Sequence, residues 1–358
     1  MFNLEEILSN IEKIDKNEYK KYRDHWDSLV HPIGSLGDLE EIGIKYCTIV
    51  GEIPEKIDKK ITLVFSADNG VMEENISSSP QVFTRLLTNE MADGTTGVTA
   101  LSNSANADVK VIDLGVLDYE GHEKVLDRRI SNGTKNFIKE DAMTREEALK
   151  AIEAGYEVTC DYIDMGYTVI GTGELGMGNT TTSAAVITAI LKQDEHNIVG
   201  LGSGVDATQL ENKYRTVRNG IDLRKPDLDD PIDVLSKLGG YDIAAMVGVF
   251  LACASKKVLA VTDGIITASA TLIAYKLNPN VSDYIVGSHI PCEKACSYVY
   301  EEIGICGYLD LHMRLGEGSG CPLFYKILDS SIYCMNNMSL FINTQMRAEL
   351  QFNIRDNK

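Results

Sequence analysis

The chain has 358 residues, of which 44% are hydrophobic and 24% are charged, a balance typical of a globular protein with one or two domains. Its formal net charge of −19 argues against general binding to nucleic acid or to a membrane surface, because an acidic surface does not attract phosphates. A local cationic pocket for one small phosphate remains compatible with this charge.

No export signal and no membrane span are expected. The N-terminus lacks a basic region followed by an apolar core, and no apolar run reaches the about 18 residues of a membrane-spanning helix. The eight cysteines are scattered, and no Cys-x-x-Cys pair is present to form a zinc site. We therefore expect a cytoplasmic protein without a bound metal.

The first third of the chain predicts helices followed by a buried strand. Apolar residues at helical spacing run through residues 1–30, and Asp38 is expected to cap another helix. The continuous apolar run Ile61–Ala67 predicts a buried parallel strand, which Asp68 and Asn69 follow. Ligands collect beyond the carboxyl ends of such strands, so these two residues lie at a plausible binding position. The alternative is a simple Asn-Gly turn.

Two further strands are predicted in the middle of the chain. Val109–Gly115 is the second strand, residues 116–143 are expected to run over the surface, and Thr144–Met165 predicts a capped helix. Tyr167–Gly171 is the third strand, and a glycine-rich loop over residues 172–178 then leads into a helix. The order of strand, glycine-rich loop and helix N-terminus is typical of phosphate binding, because backbone N–H groups and the helix dipole favour an anion.

This glycine-rich loop matches neither a Walker A motif nor a complete dinucleotide fingerprint, because no ribose-binding acid stands at the expected distance. A second glycine loop, Gly200–Gly204, precedes a helix that carries Lys213, which either binds phosphate or lies in solvent. The strand Lys257–Thr262 ends at Asp263, which either binds ribose hydroxyls or caps the next helix. The polar tail Arg347–Lys358 is expected to fray.

One carboxylate near the end of the chain is a candidate general base. Glu317 lies among Gly316, Gly318 and Gly320, directly after the mostly apolar run Ile303–Met313. Glycine lets backbone approach a ligand closely, and a carboxylate beside apolar surface can accept a proton in catalysis. The alternative is a surface turn with a solvated glutamate. The alternation of strands and helices predicts an α/β fold with a mostly parallel sheet.

Taken in order, these loops resemble the nicotinate-nucleotide–dimethylbenzimidazole phosphoribosyltransferases of cobamide lower-ligand assembly. Each motif is weak alone, but the ordered set is highly specific and covers about residues 29 to 335. The matching segments are Gly34-Ser35-Leu36-Gly37-x-Leu39-Glu40, Ala67-Asp68-x-Gly70-Val71, Gly173-Glu174-x-Gly176-x-Gly178-Asn179-Thr180-Thr181, Gly202-x-Gly204-x-Asp206, Asp263-Gly264 and Arg314-Leu315-Gly316-Glu317-Gly318-Ser319-Gly320.

The resemblance implies that the 5-phosphoribosyl group of nicotinate mononucleotide moves to a benzimidazole-type base, giving an α-riboside 5′-phosphate and nicotinate. It implies a homodimer whose large domain, residues 31–329, holds a Rossmann-like sheet flanked by helices. A small helical domain is expected from both chain ends, residues 1–30 and 330–358. No cofactor is expected, because the nicotinate leaving group already carries a cationic pyridinium.

The resemblance also implies roles for single residues. Glu317 matches the catalytic base. Binding of the nucleotide and its phosphate is expected at Glu174, Gly176, Gly178, Asn179, Thr180, Gly202, Gly204, Lys213, Asp263 and Gly264. The acceptor base is expected to contact Ser79, Leu86, Leu175, Met177 and Leu315.

The chain departs from the family pattern near the expected substrates. Asn69 stands where the family usually has His, Ser79 where it has Tyr, Leu86 where it has Gln, and Pro291 where it has Ser. These changes remove an aromatic wall and hydrogen-bonding side chains. Alternatives therefore stay open, namely a purine or phenolic acceptor, or a non-catalytic nucleotide-binding subunit of a heterodimer.

Overall fold

The computed structural model describes residues 2–202, 204–345 and 351–355. Ser203 of the second glycine loop lies outside the described residues, as do positions 346–350 and 356–358 of the predicted tail and small domain. The described N-terminal helices are α1 (Leu4–Ser9), α2 (Lys16–Asp27) and α3 (Asp38–Val50). The residue that caps α3 is Gly37, and the predicted cap Asp38 is instead its first helical residue.

A parallel sheet forms the centre of the molecule. Its strands within the described residues are β1 (Lys60–Ala67), β2 (Asp108–Gly115), β3 (Leu126–Asp127), β4 (Val169–Leu175), β5 (Leu259–Thr262) and β6 (Ile285–Gly287). They pair in the order β3-β2-β1-β4-β5-β6, each parallel to its neighbour. This is the strand order of the Rossmann fold, in which ligands bind where the order reverses, between β1 and β4. The predicted fold class is therefore confirmed.

Helices cover both faces of the sheet. They are α4 (Val82–Asp93), α5 (Gly97–Ser104), α6 (Arg145–Asp164), α7 (Asn179–Leu191), α8 (Glu195–Ile198), α9 (Ala207–Arg224), α10 (Pro231–Leu238), α11 (Tyr241–Lys256), α12 (Ile265–Leu277), α13 (Lys294–Ile303) and α14 (Cys321–Asn337). Short 3₁₀ helices occupy Gly70–Glu74, Pro279–Tyr284 and Phe341–Asn343. α11 is apolar nearly all round because it is buried between the sheet and α6.

The third predicted strand is longer than expected. β4 starts at Val169 and continues to Leu175, through residues that the glycines had marked as a loop. The reason is close packing. A side chain at Gly171 would strike the Tyr325 hydroxyl, and one at Gly173 would strike the Glu317 carbonyl. Glycine inside a strand allows such close approach, so β4 extends through the glycine motif to the carboxyl end of the sheet.

Two other expectations were wrong. Residues 116–143 do not simply run over the surface, because they contain the edge strand β3 and the fully buried Phe137. The described part of the tail, residues 351–355, is tied to the body rather than frayed. The Ile33 N–H donates to the Phe352 carbonyl at 2.7 Å, and the Ile354 N–H donates to the Ile33 carbonyl at 3.0 Å.

The chain ends meet in part. His25 Nε2 lies 2.9 Å from the Met335 carbonyl, which joins α2 to α14, while α1 packs instead against α11. The division into a large and a small domain stays a prediction. In the part of the chain that the structure describes, no helix is long and apolar enough to cross a membrane.

Candidate active site

A cavity of about 240 Å³ opens beyond the carboxyl ends of β4 and β5. The loop Met313–Glu317 closes one side of it, and the turn from β4 into α7 forms its floor. This is the edge of a parallel sheet at which ligands bind, next to the point where the strand order reverses.

Most of the predicted site residues come together here. Those that line the cavity are Glu317, Glu174, Gly176, Gly178, Asn179, Thr180, Gly202, Lys213, Gly264, Ser79, Leu175, Met177 and Leu315. Within the described ranges, Gly204, Asp263 and Leu86 do not line it. Leu86 is 49% exposed on α4, and its neighbours Phe83 and Leu87 reach the cavity instead.

The loop around Glu317 has a special backbone. Gly316, Glu317 and Gly318 have φ angles of 79°, 63° and 82°, so three consecutive residues adopt the left-handed region. A side chain at Gly316 would approach Glu174 Oε1 to 2.8 Å, and one at Gly318 would approach the Thr172 carbonyl to 3.0 Å. The two glycines thus let the loop lie directly on β4, and Glu317 alone carries the cost of this conformation for a side-chain-bearing residue.

Asp263 holds this loop from below. Its two carboxyl oxygens accept the backbone N–H groups of Gly318 at 3.1 Å and Gly320 at 2.8 Å. Burial raises the pKa of Asp263 to about 8, although these two hydrogen bonds oppose the shift. Asp263 is only 1% exposed, so it positions the loop and does not offer an open oxygen to ribose.

The Glu317 carboxyl is partly desolvated. Burial raises its pKa above the ordinary value, and a backbone hydrogen bond at Val98, near the start of α5, opposes the shift. Among the described residues, Glu317 Oε2 is buried and has no hydrogen-bond partner. A carboxylate with a raised pKa and an unpaired oxygen is well suited to accept a proton near neutral pH.

A second carboxyl, Glu174, lies at the end of β4. Its Oε1 accepts the Glu317 backbone N–H at 3.2 Å, and its Oε2 accepts a short hydrogen bond from Asn179 Nδ2. The same Asn179 Nδ2 donates to Asp242 Oδ2 at 3.1 Å. Burial raises the pKa values of both Glu174 and Asp242 to about 7. Sequence reasoning missed Asp242, although a lone acid behind Gly239-Gly240 at the start of an apolar helix was a usable signal.

A buried cation also lines the cavity. Lys213 Nζ, on α9, donates to Thr180 Oγ1 at 3.0 Å and to the Gly200 carbonyl at 3.1 Å. Burial lowers the pKa of Lys213 to about 8, and the charge of Glu293 opposes this shift. The lysine therefore remains mostly charged at neutral pH. It faces the N-terminus of α7, where helix N–H groups favour an anion.

Apolar side chains form the wall next to Glu317. Sequence reasoning named Leu175, Met177 and Leu315, and the structure adds Ile76, Phe83 and Leu87. Ser79 also lies on this wall. A flat aromatic molecule fits such a lining, because apolar walls with a few placed polar groups are typical of small-molecule sites.

His289 also lines the cavity, and its Nδ1 contacts two polar side chains. Its Nδ1 lies 2.9 Å from Ser288 Oγ and 3.5 Å from Asp263 Oδ1. Burial lowers its pKa, so the imidazole is neutral at physiological pH. The neutral ring therefore lies beside the Asp263 carboxyl that positions the glycine loop.

One group of possible metal ligands occurs among the described residues, outside the cavity. It consists of Asp194, Glu195 and His196 at α8. Arg218 already pairs with Glu195, and His196 stacks on Tyr214 with the ring centroids 4.3 Å apart. Asp194 and His196 are exposed, and acidic groups of this kind are common without an ion, so we assign no site here.

Comparison with known proteins agrees with the geometry. Residues 11–346 match a protein-family model described as phosphoribosyltransferase. A protein of Clostridium tetani is 46% identical over 94% of this chain and 93% of its own length, and one of Clostridium perfringens is 44% identical over 94% of each. Both are named nicotinate-nucleotide–dimethylbenzimidazole phosphoribosyltransferase.

Solved structures give the same result. The crystal structure of CobT from Thermus thermophilus superimposes with a TM-score of 0.88 at 29% identity, covering 93% of this chain and 99% of that one. The matched regions cover nearly the whole length of both chains in each comparison. The chain therefore belongs to the nicotinate-nucleotide–dimethylbenzimidazole phosphoribosyltransferase family.

Proposed function

We propose that this chain transfers the 5-phosphoribosyl group of nicotinate mononucleotide to 5,6-dimethylbenzimidazole. The products are nicotinate and an α-riboside 5′-phosphate for assembly of the cobamide nucleotide loop. The observation that carries the proposal is that Glu317, with its unpaired carboxyl oxygen, and Lys213, a buried cation, line one cavity together with apolar side chains. The names of the relatives give no support to a purine acceptor, a phenolic acceptor or a non-catalytic subunit.

The base in this proposal is Glu317. One ring nitrogen of the benzimidazole attacks C1′ of ribose while the bond to nicotinate breaks. The other ring N–H becomes acidic as positive charge develops on the ring, and Glu317 accepts its proton. The leaving nicotinate needs no proton, because its pyridinium nitrogen becomes neutral on departure.

Glu174 has a separate task in this proposal. Glycosyl transfer passes through a state with positive charge on the sugar ring. An ionised carboxylate fixed in the cavity floor stabilises that charge, and it is worth more here than in water because the site is desolvated. With a pKa of about 7, a substantial fraction of Glu174 is ionised at neutral pH.

The phosphate is assigned to the side of the cavity that holds Lys213 and Thr180. The glycines at 176, 178 and 202 line the cavity and leave the backbone open to a ligand, and a Cβ at Gly202 would lie 3.2 Å from Lys213 Nζ. Gly204 and Leu86 stay predictions without a contact to the cavity. The benzimidazole is assigned to the apolar wall, where Ser79 leaves more room than an aromatic residue.

The experiment is incubation of the purified chain with nicotinate mononucleotide and dimethylbenzimidazole, with both products identified by mass spectrometry. We expect nicotinate and the α-riboside phosphate in equal amounts, and at least about a hundredfold less with Glu317→Gln, which is the usual scale for a general base. The assay is repeated with adenine and p-cresol. Turnover with one of these but not with dimethylbenzimidazole, or with no acceptor at all, would overturn the proposal.

The homodimer, the cytoplasmic location and the two-domain division belong to the same proposal. The resemblance to the family supports the homodimer, and eight cysteines without a disulfide are in keeping with a reducing compartment. The contact between α2 and α14 supports a small domain from both ends. Light scattering on the purified protein tests the dimer, because a monomeric mass at assay concentration would contradict it.

A further inference from the structure

Arg314 is a cation of the cavity that the mechanism above does not use. It belongs to the loop Met313–Glu317, is exposed, and lines the same cavity as Lys213. Among the described residues, Lys213 and Arg314 are the only charged cations of this lining, because burial keeps His289 neutral. Lys213 is assigned to the phosphate, so the role of Arg314 remains to be explained.

Arg314 differs from the other described arginines in having no partner. Each of the others donates a hydrogen bond or forms an ion pair. Arg314 does neither within the described ranges, although Glu174, Glu293 and Glu317 line the same cavity and the formal net charge of the chain is −19. An arginine that stays unpaired in a ligand cavity of such an acidic chain indicates an anion that comes from outside the chain.

The backbone that follows Arg314 is held in place by other groups. Glu174 Oε1 accepts the Glu317 backbone N–H at 3.2 Å. A Cβ on Gly97 would lie 2.7 Å from Leu315 Cδ2, so Leu315 packs against the start of α5. The loop is therefore positioned without the guanidinium of Arg314. A charged group on a fixed backbone, with no partner of its own, is preorganised to bind a ligand.

The donor substrate has two anionic groups that need cations. One is the 5′-phosphate, and the other is the carboxylate on the pyridinium ring of nicotinate. A planar guanidinium matches a carboxylate with two parallel hydrogen bonds, whereas a lysine acts as a point charge. Nicotinamide mononucleotide carries the same phosphate but a neutral amide, whose NH₂ group cannot bond to arginine because arginine has no acceptor.

We propose that Arg314 binds the carboxylate of nicotinate and thereby selects nicotinate mononucleotide over nicotinamide mononucleotide. The inference rests on the proposed function and adds how the donor nucleotide is chosen. Glu317 serves the acceptor base, Lys213 holds the phosphate, and Arg314 recognises the leaving group.

The first test is isothermal titration calorimetry with each nucleotide and no acceptor, which needs no turnover. The wild type is expected to bind nicotinate mononucleotide about 10- to 100-fold more tightly than nicotinamide mononucleotide, which is the scale of one hydrogen-bonded charge pair. Arg314→Met is expected to bind the two nucleotides within about threefold of each other. A variant that keeps the wild-type preference would overturn the proposal.

The second test is kcat/KM for each nucleotide with dimethylbenzimidazole as the acceptor. Arg314→Met is expected to lose about 10- to 100-fold with nicotinate mononucleotide and less than about threefold with nicotinamide mononucleotide. Lys213→Met is expected to impair both nucleotides alike, because they share the phosphate. Equal losses in Arg314→Met would overturn the proposal, since they would assign this arginine to the phosphate as well.

Arg215→Met is the matched control for the loss of one positive charge. Arg215 is exposed on α9, donates to Asn212 at 2.9 Å and does not line the cavity. It is expected to leave both kcat/KM values within about twofold of the wild type. A loss with nicotinate mononucleotide as large as that of Arg314→Met would overturn the proposal, because it would reflect net charge alone.

Melting temperatures separate recognition from folding. Arg314→Met is expected to melt within about 1 °C of the wild type, because the guanidinium has no partner among the described residues. A clearly lower melting temperature would contradict that premise and overturn the proposal. Absence of turnover in the wild type would instead overturn the proposed function, and calorimetry would still decide whether Arg314 recognises the carboxylate.

Discussion

Replacement of Glu317 by glycine is expected to stabilise the protein while it removes activity. Glu317 has a φ of 63° between two glycines that share this left-handed conformation. A residue with a side chain pays roughly 1–2 kcal/mol there, whereas glycine does not. The glycine variant loses roughly 0.4–1 kcal/mol of this stabilisation, because glycine increases the conformational entropy of the unfolded chain. Removal of a half-desolvated carboxyl adds to the gain, so we expect a net stabilisation of about 1 kcal/mol.

This gain is small but measurable. Unfolding entropy near 2.1 cal/mol/K per residue makes 1 kcal/mol equivalent to about 1 °C in a chain of this size. Differential scanning calorimetry gives the melting temperature, and release of nicotinate gives kcat. We expect Glu317→Gly to melt about 1 °C higher and to lose at least about a hundredfold in kcat.

Glu317→Gln is the matched control, because it keeps the shape and the strained backbone but cannot accept a proton. It is expected to lose as much activity as the glycine variant. It should not show the stabilisation that comes from relieving the backbone strain. A glycine variant that melts below the wild type would refute the strain argument. A glutamine variant with more than about a tenth of wild-type kcat would refute the role of Glu317 as base.

Three further predictions concern Lys213, Glu174 and Arg355. Lys213→Met is expected to raise the KM for nicotinate mononucleotide about 10- to 100-fold, because it removes a charged hydrogen bond to phosphate, and an unchanged KM in the steady-state assay would contradict this. The folded pKa of Glu174 is about 7 and its ordinary value is 4.5, so stability from this group is lost as pH rises through about 7. Glu174→Gln should therefore be more stable than the wild type at pH 8.5, by up to roughly 3 kcal/mol in the free energy of unfolding, but not at pH 4.5. Melting temperatures at both pH values test this, and an equal difference between variant and wild type at the two pH values would count against the prediction. Arg355 donates to Asp27 and to the buried Glu40 at 2.8 and 2.9 Å. Arg355→Ala should lower the free energy of unfolding by about 1–3 kcal/mol, measured by thermal unfolding. The control Lys20→Ala, which removes an exposed ion pair, should lower it by less than about 1 kcal/mol. Equal losses would show that Arg355 does not tie the tail to the body.

Much of the fold could be predicted from local sequence pattern. β1 is a mostly apolar buried run, β2 is rich in valine, isoleucine and leucine, and the N-cap of α6, Thr144, forms the predicted capping box with Glu147. Periodicity and caps act over a few residues, so they can be recognised without knowing what packs nearby. The ordered glycine motifs indicated the family. Most of the site residues predicted from it line one cavity.

The remaining features depend on neighbours that are distant in sequence. Residues 172–175 look like a loop by composition, but they are strand because the chain near residues 317–325 packs against the glycines of β4. The tail at 351–355 is polar, yet it is ordered by contacts with Ile33 and Asp27 more than 300 positions away. Asp242 became part of the site only when the start of α11 was placed beside Asn179.

For Glu317, sequence supplied the residue, the flanking glycines and the family that they indicate. Tertiary structure decided its chemistry, because desolvation, the unpaired oxygen and the hold of Asp263 on the loop all arise from groups brought together by the sheet. Residue identity and the conformational freedom of the flanking glycines are local properties of a chain. Burial and charge environment are sums over everything that surrounds a group, and only the folded arrangement determines them.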